Sequence, residues 1–186
     1  HKVGVGVLRL KAGRERSLRR RHPWVFSGAI DAVTGPLVSG ATVRVEAAEG
    51  AFLAWAAYSA NSQIRARVWS FEQALYPDAA LIAARISAAL AHRRQWLDAS
   101  CLALEGAYRL VHGESDGLPG VIVDRYGKVL VMQLLSAGAE HWRAVLIQAL
   151  LQQTGCSVLV ERSDTDARQL EGLPPTSGLL HGELEG

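Results

Sequence analysis

KAGRERSLRRRHPWVF (residues 11–26) carries six cations, Lys11, Arg14, Arg16, Arg19, Arg20 and Arg21, against one acid, Glu15, and closes on Trp24-Val25-Phe26. A short cationic helix running into an aromatic strand is a surface that commonly meets a phosphate backbone. The plainer alternative is a solvated charged face on a short helix. Charge density, adjoining aromatics and the sign of the surrounding segment favour RNA or DNA contact. Residues 1–75 hold 11 Lys and Arg against 5 Asp and Glu, whereas residues 76–186 hold 9 against 13. The formal net charge of +2 therefore conceals two halves of opposite sign. Such asymmetry points to a polyanion-binding module joined to a second unit.

The organisation around this stretch supports two units. Residues 24–26 read as a strand with Ser27-Gly28 as its exit, and residues 42–47, 51–58 and 64–71 read as three more. Glu49-Gly50 supplies a tight hairpin between the first two of those, and residues 59–62 a longer turn before the third. Trp24 and Phe26 share one strand face and are expected in the core. Short strands at this spacing with one helix indicate a small β-barrel. Arg65 and Arg67 alternate on one face of their strand and extend the cationic surface.

A change of period begins at Tyr76-Pro77-Asp78, where Pro77 or Asp78 can open a helix. Ile82, Ile86 and Leu90, joined by Leu97, form one apolar stripe over about five turns. Arg85, His92, Arg93 and Arg94 fall off it and read as solvated. Residues 108–112, 120–124 and 129–135 read as strands. A second helix follows, with Trp142, Val145, Leu146, Ala149 and Leu150 on one face and Gly155 as its cap. Residues 157–161 give another strand and residues 178–183 a last one. The whole is an α+β chain with expected boundaries of 1–75 and 76–186.

The residues themselves offer no convincing catalytic centre. Glu114 and Asp116 could act as acid and base or hold a metal, but their Gly- and Pro-rich setting reads as turn chemistry. Asp124-Arg125 and Glu161-Arg162 look like local ion pairs. Asp164 and Asp166 fit an Asx turn or helix cap better than a metal pair. Cys101 and Cys156 lack a cationic neighbour and read as packing residues. The six histidines show no metal-ligand spacing, and no glycine-rich nucleotide loop follows a strand. No catalytic, cofactor-binding or metal residue is assigned. No apolar run reaches the roughly 18 residues of a membrane span, and cysteine usage fits a reducing cytoplasm.

Several longer segments, GRERSLRRRHPWVFSGAI (13–30), YSANSQIRARVWSF (58–71), GESDGLPGVIVDRYG (113–127) and VMQLLSAGAEHWRA (131–144), occur in an order that resembles the amino-terminal part of the ribosomal RNA large subunit methyltransferase I family. The resemblance continues through ERSD (161–164) and Glu171-Gly172. It implies a PUA-type pseudo-barrel that binds RNA, then a small strand-strand-helix-strand-strand domain. In the family a Rossmann-like domain follows, which uses S-adenosylmethionine to methylate carbon 5 of a cytosine in 23S ribosomal RNA. The resemblance makes large-subunit ribosomal RNA the expected partner, through Lys11, Arg14, Arg16, Arg19, Arg20, Arg21, Arg65 and Arg67. No cofactor is expected on this chain, and the parent's catalytic domain is expected to lie outside it, leaving the chain inactive alone. The alternative is a free-standing PUA-type RNA-binding or ribosome-associated protein. The oligomeric state stays open, a dimer included.

Overall fold

A computed structural model describes residues 4–102 and 106–184, without the side chains of Ser100 and Cys101. The expected packing role of Cys101 therefore lies outside the described residues. Six strands form the first sheet: β1 (Gly6–Leu10), β2 (Trp24–Phe26), β3 (Ile30–Thr34), β4 (Thr42–Glu46), β5 (Phe52–Tyr58) and β6 (Ile64–Ser70). Their order is β2-β6-β5-β4-β1-β3, antiparallel except where β1 runs parallel to β4. The one-turn helix α1 (Arg16–Arg19) lies between β1 and β2. Alternate residues of the strands turn inward, so Leu8, Leu10, Val43, Val45, Ala54, Ala56, Ala66 and Val68 make one core.

Two of these strands escape the sequence reading. Burial along β1 alternates, with Leu8 and Leu10 inward and Arg9 out, but the pattern spans only five residues. β3 is almost wholly exposed and offers no apolar alternation to read.

In the second half, β7 (Ala107–His112), β8 (Val121–Tyr126), β9 (Val129–Leu134), β10 (Val158–Ser163) and β11 (Thr176–His181) form a sheet ordered β11-β10-β9-β8-β7. β9 and β10 are parallel and the other pairs antiparallel. Helix α2 (Ala79–Trp96) begins where Asp78 accepts a hydrogen bond from the Leu81 N–H at 2.8 Å. Its buried stripe is Ile82, Ile86, Ala89 and Leu90. The remaining helices are α3 (Ala99–Leu102), α4 (Ala137–His141), α5 (Arg143–Thr154) and α6 (Asp166–Leu170). The order is therefore three strands, a helical pair, a strand, a helix and a strand, not strand-strand-helix-strand-strand. Helix α5 carries the chain from β9 to the parallel β10 and ends on Gly155 in the left-handed region, the cap expected of it.

The two halves share packing. Ala57 and Trp69, from the first sheet, belong to the core of the second half. Helix α4 lies flush against them: a Cβ on Gly138 would stand 2.4 Å from the Ala57 Cβ. Arg67 on β6 reaches across, its guanidinium 3.0 Å from Glu114 and 3.2 Å from Glu171. The other Glu171 oxygen accepts from the Ala137 N–H at the start of α4, 3.2 Å away. A second network lies behind it. Buried Arg168 donates to the Leu134 and Pro174 carbonyls and to Glu140, which also pairs with Arg143. Arg143 reaches the fully buried Glu161 at 2.6 Å.

These contacts correct three sequence readings. Asp124 pairs with Arg109 across the sheet, and Glu161 with Arg143. Successive strand residues face opposite sides, so neighbours such as Asp124 and Arg125 do not meet. Nor are Arg85 and Arg93 simply solvated. Arg85 donates to the Gly117 carbonyl, and Arg93 makes a bidentate pair with Asp116 at 2.7 Å.

Replacing Arg67 with Met should lower unfolding free energy by about 3 kcal/mol or more, because it strands the buried Glu171 carboxylate. Urea denaturation measures this; a change below about 0.5 kcal/mol, the range of ordinary surface substitutions, would contradict it. A pH dependence follows from Asp116 and Glu140. Burial alone would raise both carboxyls, but Arg93 and the His112 N–H outweigh it at Asp116, as Arg143 and Arg168 do at Glu140. Both folded pKa values thus lie below their usual range. Their contribution is full above the unfolded carboxylate range, roughly pH 4 to 4.5, and is lost as pH falls through the lower folded values. Asp116→Asn should flatten the acid limb of a stability-against-pH curve; an unchanged limb would contradict the assignment.

Candidate nucleic-acid interface

Leu18 decides how the cationic stretch is presented. It is the one buried residue of α1, 3% exposed and packed into the first core. A single turn pinned by Leu18 leaves its arginines outside, and Lys11, Arg14, Arg16, Arg19, Arg20 and Arg21 are all exposed. The turn then ends in an unusual way. The Arg21 N–H bonds the Leu18 carbonyl at 2.8 Å and the His22 N–H bonds the Ser17 carbonyl at 2.9 Å. That pairing is a Schellman ending, whose left-handed position is usually glycine. Here Arg21 fills it, at φ +65°, the only non-glycine with positive φ among the described residues.

Few of these charges are neutralised. Lys11 donates to the Gly28 carbonyl at 3.0 Å. Arg19 meets Glu49 at 3.2 Å, but both side chains are more than half exposed and the pair contributes little. The Arg21 guanidinium lies 5.0 Å from the centre of the Phe71 ring. A shallow hollow beside α1 is lined by Arg14, Ser17, Trp24, Phe26 and Gly28.

Trp24 and Phe26 do share a strand face, but it is the outer one. Val25 is the buried member of β2, at 1% exposure, while Phe26 is 48% exposed. The expectation of Phe26 in the core is thus corrected: period two fixes which residues go together, and only tertiary packing says which set goes inside. Trp24 is half-buried, gives its indole N–H to Glu114 at 3.1 Å and carries the Arg67 guanidinium over its ring.

Arg65 and Arg67 stand apart from the six. Arg65 is half-buried and donates to the Ala60 carbonyl at 2.8 Å. Arg67 is held by Glu114 and Glu171 and has little charge left to offer.

The carboxylates of the 113–119 segment are held by arginines. Glu114 accepts from Arg67 and Trp24. Asp116 accepts from Arg93 and from the His112 N–H at 2.6 Å, the turn role read from sequence. Asp164 pairs with Arg162, and Asp166 lies in the first turn of α6. No group of three metal-ligating side chains occurs among the described residues. Cys156 is a free thiol buried in the second core, where it packs. The arrangement can hold a polyanion and stack a base on an exposed ring.

Known proteins are similar to this chain over most of its length. Residues 8–71 match the family model of a PUA-like domain. The chain is 49% identical over 177 residues to ribosomal RNA large subunit methyltransferase I of Shewanella amazonensis, covering 95% of this chain and 44% of that protein. The protein of the same name from Yersinia pseudotuberculosis is 49% identical over 176 residues, 94% of this chain and 43% of its own length. The chain thus spans less than half the length of these relatives. A solved structure from Streptococcus mutans, assigned as a SAM-dependent methyltransferase, superposes with a TM-score of 0.76 at 17% identity. It covers 97% of this chain and 44% of that one. A second such structure, in complex with SAH, gives 0.75 at 16% identity over 96% of this chain and 43% of its own. At these identities the likeness is one of fold.

Arg21→Gly should remove left-handed strain of about 1 kcal/mol. Thermal melting should show an unchanged or higher midpoint, while RNA affinity falls. A clear drop in melting temperature would show that Arg21 serves the fold.

Proposed function

We propose that this chain is the RNA-engaging part of an S-adenosylmethionine-dependent methyltransferase that forms 5-methylcytosine in 23S ribosomal RNA in the cytoplasm. The observation that carries the proposal is the α1 turn, pinned by Leu18 with six cations outward, inside the segment that matches the PUA-like model. Residues 1–75 act as the RNA-binding domain, and residues 76–186 as a connecting helix with a small α+β domain. Methyl transfer belongs to the part of the longer relatives that this chain does not cover. On its own the chain supplies affinity and orientation, not bond chemistry.

The free-standing RNA-binding alternative is less well supported, because the similarity runs through both halves and not through the PUA-like segment alone. Among the six cations, Arg14, Arg16 and Arg20 have the freest charges, and Arg21 meets the Phe71 ring but no carboxylate among the described residues. Arg65 and Arg67, both committed to protein partners, are given structural roles in this proposal.

Arg16, Arg19 and Arg20 changed together to Gln should weaken binding to a large-subunit ribosomal RNA fragment. The log–log salt slope should flatten by about 0.7 to 0.9 for each phosphate that the variant no longer neutralises. Unchanged affinity and slope in a folded variant would place the site elsewhere. Calorimetry against S-adenosylmethionine should show no binding; saturable binding at micromolar concentration would contradict the division of labour.

A further inference from the structure

Where the two halves meet, Arg21 and Phe71 face Arg85, Glu114, Ser115 and Gly117 across a cleft of about 340 Å³. That volume falls in the range of small-ligand sites. Its chemistry is lopsided. Glu114 is partly offset by Arg67, which it shares with Glu171, and one of its oxygens accepts from the Trp24 indole. Neither Arg21 nor Arg85 forms an ion pair among the described residues. Arg85 is half-buried, and apart from its bond to the Gly117 carbonyl only the charge of Glu72 offsets the loss of hydration there.

Both guanidiniums are held in place. Arg21 is fixed by its left-handed backbone and by the Phe71 ring. Arg85 is gripped by the 113–117 loop, donating to the Gly117 carbonyl. Gly117 stands at φ +69°, and a Cβ there would lie 3.2 Å from the Arg85 Cδ and Nε, so glycine suits the loop where it lies on the arginine. Two fixed cations beside an aromatic ring, neither in an ion pair among the described residues, are prepared for an anion that also carries a flat group.

We propose that this cleft binds one unpaired nucleotide of the RNA, its phosphate between Arg21 and Arg85 and its base stacked on the Arg21–Phe71 pair. The proposal rests on the RNA-binding reading and adds the second half to the grip. A recessed site between two walls suits a strand whose bases can splay out, and not the convex backbone of a duplex.

The test is fluorescence anisotropy with a labelled RNA of about 12 nucleotides, within the span of single-strand sites, used alone and annealed to its complement. Arg85→Gln should weaken binding of the single strand about tenfold, the scale of one charge-assisted hydrogen bond removed. Duplex binding should change much less. Ser115→Glu, which adds a negative charge to the exposed rim, should act in the same direction and decides the matter if Arg85→Gln does not fold. Arg16→Gln/Arg20→Gln serves as the comparator. If it alone weakens binding, the cleft is excluded and the cationic turn stands. Equal loss for single strand and duplex also overturns the cleft. If no variant changes affinity, both readings fall.

Discussion

Arg67 is the side chain on which the joined structure depends. It leaves the first sheet in mid-strand and meets Glu114 and Glu171, one from each of two separate loops of the second half. A guanidinium at this depth is tolerable only because both carboxylates and the Trp24 ring surround it, and Glu171 in turn is bound by the Ala137 N–H. Such a cluster adds less net stability than its short distances suggest. What it adds is position: neither half can rotate without leaving a buried charge unpaired. The apolar contact of Ala57 and Trp69 with α4 supplies the attraction, and the ion pairs fix the register.

That register shapes the proposed recognition surface. With the halves locked, the left-handed turn at Arg21 brings a cation to the seam, and α2 brings Arg85 to the same seam from the other side. The turn itself needs little structure. One buried leucine and a Schellman ending hold four helical residues whose remaining side chains point to solvent. An arginine where glycine would be easier is a local cost, which the proposed contact of its guanidinium with RNA would offset.

The sequence revealed elements wherever a period ran long enough. The strand at 42–46 alternates cleanly, those at 52–58 and 64–70 alternate until Ala57 and Trp69 turn to the second core, and Ile82, Ile86 and Leu90 mark the buried face of α2. It concealed elements built on exceptions. Helix α6 centres on the buried Arg168, which any reading by polarity assigns to the surface. Most of the chain's ion pairs were equally hidden, since Arg67 and Glu171 are 104 positions apart. Of the candidate site, the six cations of residues 11–21 were legible because exposure is the default for clustered charge. Arg67 was not separable from them, because an arginine on a strand looks the same whether it meets water or another layer. Arg85 lay off the apolar stripe and read as solvated; only the fold shows the 113–117 loop closing over it.

In the proposed complex RNA lies along the cationic turn and at the seam between the halves. Backbone amide chemical shifts, followed by NMR as an unpaired ribosomal RNA fragment is titrated into the chain, test it most directly. Shifts should concentrate at residues 14–22, around Phe71 and at Arg85 and residues 113–117, while the outer strand β11 stays silent. Shifts confined to β10 and β11, or spread evenly over the surface, would contradict it.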